Sequence, residues 1–135
     1  MSGVDPAEVQ PLHSAFDRVA ALLPQLSPDI RLLVTQCPFP TVRDFALYPP
    51  ISDALDARSG PAAVKRVIKP GNSILHAHGA TRWFDELAAV GDGVNSEAGV
   101  VPTVVLAGCT LTSCVRVSAL DLYRRYVRRL CGSMA

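Results

Sequence analysis

The fold is indicated most clearly by residues 104–121, VVLAGCTLTSCVRVSALD, where an apolar run stops at Gly108 and a helical pattern begins near Thr112. The apolar run begins at residue 100 and predicts a buried strand over residues 100–107, with a tight turn after it. This places Cys114 in the first turn of a helix, where unpaired backbone N–H groups carry partial positive charge. Such a position favours the reactive thiolate and can stabilise an oxyanion, so Cys114 is a candidate nucleophile.

Two further apolar runs lie upstream, at residues 30–35 and 63–68, and each predicts a short buried strand. Stretches with helical periodicity surround them, at residues 9–26, near 51–57, at 81–90 and from about 112 onward. Short strands that alternate with amphipathic helices predict an α/β domain of three αβα layers with a mainly parallel sheet. In such sheets, sites lie beyond the carboxyl ends of the strands, which here means residues 69–73 and 108–114.

The composition is that of one globular domain over residues 1–135, with 49% hydrophobic and 19% charged residues. A net charge of +1 and no aromatic-lined basic face argue against nucleic acid as a partner. We expect no membrane segment, since no apolar run approaches the ~20 residues that a spanning helix needs. The four cysteines form no disulfide framework, and the first residues show no secretory signal, so we expect a cytoplasmic protein.

Several segments resemble the isochorismatase-like, nicotinamidase-related cysteine hydrolases. The likeness rests on an apolar strand, a glycine, and a Cys-Val pair that begins six residues later at a helix start, which here is Gly108 to Cys114. Residues 66–73, RVIKPGNS, resemble the family segment that delivers a catalytic lysine, and residues 30–40 resemble the second strand and its loop. The resemblance spans roughly residues 9–126. It implies a Rossmann-like αβα fold, with Cys114 as nucleophile, Lys69 beside it, and backbone N–H groups near Thr110 and Leu111 as oxyanion donors.

The sequence departs from the family pattern before the first helix. Family members carry there a central strand that ends in the aspartate base, and no residue here matches it. The loop residue Asp44 is a candidate substitute, and His76 and His78 are candidate acid–base groups, although turn-forming or surface roles are more common for all three. Lys69 has an alternative role as a solvated lysine at a strand end, because most lysines are exposed. The residues after the second strand lack the Asp and His ligands of metal-binding members, so we expect no metal and no cofactor.

Two functions are consistent with these features. The first is hydrolysis of a small-molecule amide or ester through an acyl-enzyme on Cys114. The second is a non-catalytic binding or assembly module that lacks the catalytic aspartate; a fragment of a longer hydrolase is a third possibility. Without the central strand, the strands on either side of it can pair directly in a compact monomer or leave their edges exposed. We expect exposed edges, covered by self-association into a homo-oligomer or by a partner chain.

Overall fold

The structure, a computed structural model, describes residues 6–38, 46–58, 64–91, 103–108 and 111–127. Helix α1 (Pro6–Leu22) continues into a 3₁₀ turn (Leu23–Gln25) and is followed by strand β1 (Leu32–Gln36), helix α2 (Pro49–Asp56) and strand β2 (Val64–Ile68). A 3₁₀ turn (Ile74–His76) then leads to α3 (Ala80–Gly91). The chain segment at residues 111–127, here named the cysteine helix, has a central α-helical part, α4 (Arg116–Leu122), between two π-helical turns, Leu111–Val115 and Tyr123–Val127.

Strands β1 and β2 form a parallel pair, in register from Leu32 opposite Val64 to Gln36 opposite Ile68. The strands predicted at residues 30–35 and 63–68 are confirmed within two residues at each end. A parallel pair needs a crossover between its strands, and α2 lies within that connection. The chain is therefore a mixed α/β protein with a small parallel sheet, as the alternating pattern predicts.

The strand predicted over residues 100–107 is wrong for the part that the structure describes. Residues 103–108 have no regular secondary structure, and the described sheet contains two strands. The side chain of Val105 is 85% exposed and that of Val104 is 43% exposed. A strand needs a neighbour for its backbone N–H and C=O groups, and an apolar run does not by itself provide one.

The helices follow the predicted pattern closely. Pro6 opens α1, as a proline at a first helical position should, while the expected N-cap residue Asp5 lies outside the described residues. Helix α2 begins two residues before the short helix predicted near residues 51–57 and ends one residue earlier, at Asp56, and α3 extends the one predicted at 81–90 by one residue at each end. The cysteine helix begins at Leu111, one residue before the predicted start.

The principal core lies between β2, the 3₁₀ turn and α3. Its buried members are Val67, Ile74, Ala77, Ala80 and Phe84, and half-buried side chains of β1, α3 and the cysteine helix pack around them. These partly buried side chains are Leu33, Leu75, Trp83, Leu122 and Tyr126. The core therefore joins the end of β2 to the cysteine helix, which are the two elements that carry the predicted site residues.

A second set of contacts fixes α1 and the turn that precedes β1. The guanidinium of Arg58 donates hydrogen bonds to the carbonyl oxygens of Leu23, Leu26, Ser27 and Ile30, at 2.9–3.3 Å. One side chain thereby binds four carbonyl oxygens along the connection from the 3₁₀ turn to β1; those of Leu23 and Ser27 also accept backbone N–H groups. This clamp holds the start of β1 against the end of α2.

Candidate active site

Lys69 follows directly after β2 and continues its hydrogen-bond ladder. Its backbone N–H donates to the carbonyl oxygen of Gln36 at 2.8 Å. Burial alternates along this stretch: Val67 and Lys69 are buried, whereas Ile68 between them is 52% exposed. Because side chains alternate across a strand, Lys69 is directed to the same face as the core residue Val67. It is 3% exposed, so the alternative of a solvated lysine is wrong.

The ammonium group of Lys69 has an acceptor for each of its three N–H bonds. Nζ donates to the carbonyl oxygen of Gly71, to the carbonyl oxygen of Asn72 at 3.2 Å and to the Sγ atom of Cys114 at 3.5 Å. A lysine is rarely buried unless its charge is paired or fully hydrogen-bonded. The structure thus brings together the lysine and the cysteine that the sequence singles out, across a separation of 45 residues.

Cys114 lies in the π-helical first turn of the cysteine helix, where the sequence predicts it. Its side chain is half-buried and carries a thiol. The Sγ atom also donates to Oδ1 of Asn72 at 3.6 Å and accepts from the hydroxyl of Ser113 at 3.8 Å. The sulfur is therefore surrounded by polar groups from two segments of the chain, unlike a cysteine that only fills an apolar core.

The loop between β2 and the 3₁₀ turn is held by two serines. Ser73 is fully buried, and its hydroxyl caps the turn by accepting from the N–H of Leu75 at 3.3 Å. The hydroxyl of Ser118 accepts from the N–H of Ile74 at 3.0 Å and donates to the carbonyl oxygen of Asn72 at 3.3 Å. The bonds of Ser118 tie the Asn72 carbonyl oxygen, one of the two that Lys69 contacts, to the cysteine helix.

Three polar side chains are buried within the described residues, and all three belong to this site: Lys69, Ser73 and Ser118. Burying a polar group has a free-energy cost unless its hydrogen bonds are replaced, so proteins concentrate such groups where they have a purpose. The apolar core elsewhere in the described chain has no such group. Within the described residues, the buried polar side chains are thus all found in the region around Lys69 and Cys114.

The sequence pattern assigns no role to two members of this cluster, Asn72 and Ser118, although Asn72 lies within the predicted site segment at residues 69–73. Ser118 lies four residues after Cys114 and therefore shares its helical face, a spacing that identifies it as a neighbour. Asn72 lies three residues after Lys69, in a loop whose shape is set by contacts with the cysteine helix. No local pattern indicates that the Asn72 side chain turns towards the sulfur.

The other predicted site residues lie apart from this pair or outside the described chain. Thr110 and Asp44 are outside the described residues. Leu111 begins the cysteine helix, with a side chain that is 75% exposed. His76 and His78 are exposed and line an open groove of about 890 Å³ beside α3, whose walls include neither Lys69 nor Cys114. A Cβ atom at Gly71 would lie 3.1 Å from Nδ1 of His76, so this ring abuts the loop that Lys69 binds.

No group of three or more His, Cys, Asp or Glu side chains converges to hold a metal ion in the ranges that the structure covers. No helix there is both long enough and apolar enough to cross a membrane. Comparisons with protein-family models, with curated proteins and with solved structures give no significant match. The functional conclusion therefore rests on the residues and geometry of the site itself.

Proposed function

We propose that this chain is a cysteine-dependent hydrolase that cleaves an amide or ester of a small molecule through an acyl-enzyme on Cys114. One observation supports this most: the Nζ atom of a fully enclosed lysine, Lys69, lies 3.5 Å from the Sγ atom of a half-buried cysteine at a helix start. A cationic neighbour and a helix N-terminus both favour thiolate over thiol, and the thiolate is the nucleophile.

Lys69 is also the proton acceptor in this proposal. As an ammonium, Lys69 donates hydrogen bonds to two carbonyl oxygens and to a Cys114 thiolate. As an amine, it donates to the same two oxygens and accepts a hydrogen bond from the Cys114 thiol. Both arrangements keep the three contacts of Nζ, so one proton moves between sulfur and nitrogen while Lys69 stays in place; the S–H bond to Oδ1 of Asn72 belongs to the thiol form in which Lys69 is an ammonium. Lys69 thereby takes the role of the aspartate base that has no matched position in the sequence.

The reaction proceeds in two stages. The Cys114 thiolate attacks the substrate carbonyl, and N–H groups at the start of the cysteine helix hold the oxyanion. The Lys69 ammonium gives its proton to the departing amine or alcohol, which leaves a thioester on the sulfur. Water, deprotonated by the Lys69 amine, then attacks the thioester and restores the pair. In the thiol form, before the proton leaves the sulfur, the S–H bond of Cys114 donates to Oδ1 of Asn72.

Thiol reactivity tests this proposal at neutral pH. We expect iodoacetamide to modify Cys114 roughly tenfold faster than Cys37, a half-buried thiol that serves as the internal reference. Lys69→Met should slow Cys114 to the rate of Cys37, while Lys65→Met, which alters an exposed lysine of the same strand, should leave it unchanged. Equal rates for Cys114 and Cys37 in the unaltered chain would overturn the proposal.

Turnover is tested with a panel of small aryl esters and anilides. We expect a thioester on Cys114, detected by mass spectrometry after an acid quench, and no product release by Cys114→Ala. A reactive thiol that forms no thioester with any member of the panel would instead favour the second candidate, a binding module. The exposed apolar segment at residues 103–108, with Val105 85% exposed, is the observation that supports such a module.

A further inference from the structure

The Lys69–Cys114 pair combines two nucleophiles of unequal accessibility. Cys114 is half-buried, and its neighbours Asn72 and Leu111 are exposed, so a small solute can reach the sulfur. Lys69 is 3% exposed and is directed at that sulfur from the protein side at 3.5 Å. A reagent that arrives from solvent therefore meets the sulfur first, and the amine is the nearest internal group to any electrophile formed there.

We propose that this pair is an oxidative modification site, at which a hydroperoxide converts Cys114 to a sulfenic acid and Lys69 then captures the sulfur as a sulfenamide. The inference rests on the reactive thiolate of the proposed function, but not on turnover of a substrate. Sulfenic acids condense reversibly with thiols and with nitrogen groups, and a thiolate that solvent can reach is the form that hydroperoxides oxidise.

The steps balance with hydrogen peroxide as the only co-reactant. The thiolate attacks one peroxide oxygen and the O–O bond breaks, so sulfur is oxidised by two electrons to S–OH and hydroxide leaves. That hydroxide takes a proton from the Lys69 ammonium to form water, which leaves Lys69 as the amine. The Nζ lone pair of Lys69 then attacks the sulfur, the S–O bond breaks, and the leaving hydroxyl departs as water with a proton from the amine. The product is an S–N bond, and two hydrogen atoms have been lost from the pair.

The consequence is a reversible block on the site. The sulfenamide occupies both groups that the proposed hydrolysis needs, and it withholds the sulfur from further, irreversible oxidation to the sulfinic acid. A small thiol reverses it: the thiol attacks the sulfur, the S–N bond breaks and the amine regains its proton, leaving a mixed disulfide. A second thiol then releases Cys114.

The test is mass spectrometry of the intact chain after a brief exposure to hydrogen peroxide. We expect a loss of about 2 Da that dithiothreitol reverses, and no gain of about 32 Da from sulfinic acid. Trypsin should yield residues 67–82 joined to residues 83–116, because the Lys69-Pro70 bond resists cleavage and each peptide carries one partner. Lys69→Arg retains a cation in the site and should instead accumulate the sulfinic acid at Cys114.

The peptide map separates the outcomes. A disulfide between Cys109 and Cys114 has the same mass loss but lies within residues 83–116, and its formation would overturn the proposal. Sulfinic acid at Cys114 in the unaltered chain, or an unchanged Cys114, would overturn it equally. Because no substrate is present, a cross-link without hydrolase activity refutes the proposed turnover alone. Activity without a cross-link refutes this inference alone.

Discussion

At the residue scale, burial determines the role of Lys69. The sequence allows a solvated lysine at a strand end, but the structure places it 3% exposed with three acceptors around Nζ. An enclosed ammonium is tolerated when all its donors are satisfied, and the two loop carbonyls plus the Cys114 sulfur meet that condition. The residues that fix those carbonyls therefore matter as much as the lysine.

Ser118→Ala tests the support of the loop. The change removes the acceptor for the N–H of Ile74 and the donor to the carbonyl oxygen of Asn72, so buried groups lose partners. We expect the free energy of unfolding to fall by about 1–3 kcal/mol and the alkylation of Cys114 to slow. Thr112→Ala is the matched control, since Thr112 is an exposed hydroxyl residue at the start of the same helix. Urea unfolding of both variants measures the difference, and equal stabilities would contradict the role of Ser118.

Gly79→Ala tests the turn before α3. Gly79 has φ of +83°, which a side chain rarely adopts, although a Cβ atom there would meet only the Lys65 side chain at an ordinary 3.8 Å. The penalty is therefore conformational, and we expect a loss of about 1–2 kcal/mol in the free energy of unfolding. Gly71→Ala is a useful comparison because its cost would come from crowding against His76 and not from a positive φ. Thermal unfolding of the Gly79 variant at the unaltered midpoint would refute this prediction.

At the element scale, the π-helical turn distinguishes the start of the cysteine helix from an ordinary helix start. The turn Leu111–Val115 is wider than an α-helical turn, and it carries Cys114 opposite the loop that Lys69 binds. Such turns are rare in proteins overall, but those that occur are often found at functional sites. The other end of this helix is tied to α3, since the hydroxyl of Tyr126 donates to Oδ1 of Asp85 at 2.7 Å.

This tie predicts a loss of stability at alkaline pH. Burial, together with the hydrogen bond to Asp85, raises the pKa of Tyr126 above the ordinary tyrosine value of about 10. The contribution of Tyr126 to the free energy of unfolding is therefore complete below about pH 10. It is lost as the pH rises through the folded-state pKa, because the tyrosine of the unfolded chain ionises first. We expect the free energy of unfolding to decline between about pH 9 and about pH 11, and less steeply in Tyr126→Phe.

A residual decline should persist in that variant. The hydrogen bond to Asp17 raises the pKa of Tyr48 in the same way, so Tyr48 contributes over the same alkaline range. Tyr123→Phe, an exposed position on the cysteine helix, is the control and should decline as steeply as the unaltered chain. The interpretation fails if Tyr126→Phe and Tyr123→Phe give the same slope.

At the scale of the whole molecule, apolar surface remains uncovered in the described chain. Val105 and Leu111 are 85% and 75% exposed, and all five residues of β1 are only half-buried. Parallel strands are usually covered on both faces, and a two-stranded sheet is marginal by itself. We therefore predict that the chain self-associates, with a second copy covering the segment at residues 103–108.

Sedimentation of the purified chain at micromolar concentration measures this directly. We expect a mass above the 14.4 kDa of one chain, and a shift towards the monomer in Val105→Lys. Leu22→Lys is the matched control, because Leu22 is a 53% exposed apolar residue on a different element, α1, and it should leave the mass unchanged. A stable monomer of the unaltered chain would contradict the prediction.

The amino-acid sequence by itself determined the helices and two of the three proposed strands. It also determined that Lys69 follows β2 and that Cys114 lies in a first helical turn. These features depend on the spacing of apolar residues and on the residues that begin and end helices and strands, and a single sequence displays both. The tertiary structure decided whether the apolar run at 100–107 finds a strand partner in its described part, whether Lys69 is enclosed, and which groups surround the sulfur. The surroundings of the sulfur depend on contacts between segments about 45 residues apart, such as Lys69 with Cys114 and Asn72 with Ser118, and pairings at that separation leave no local pattern.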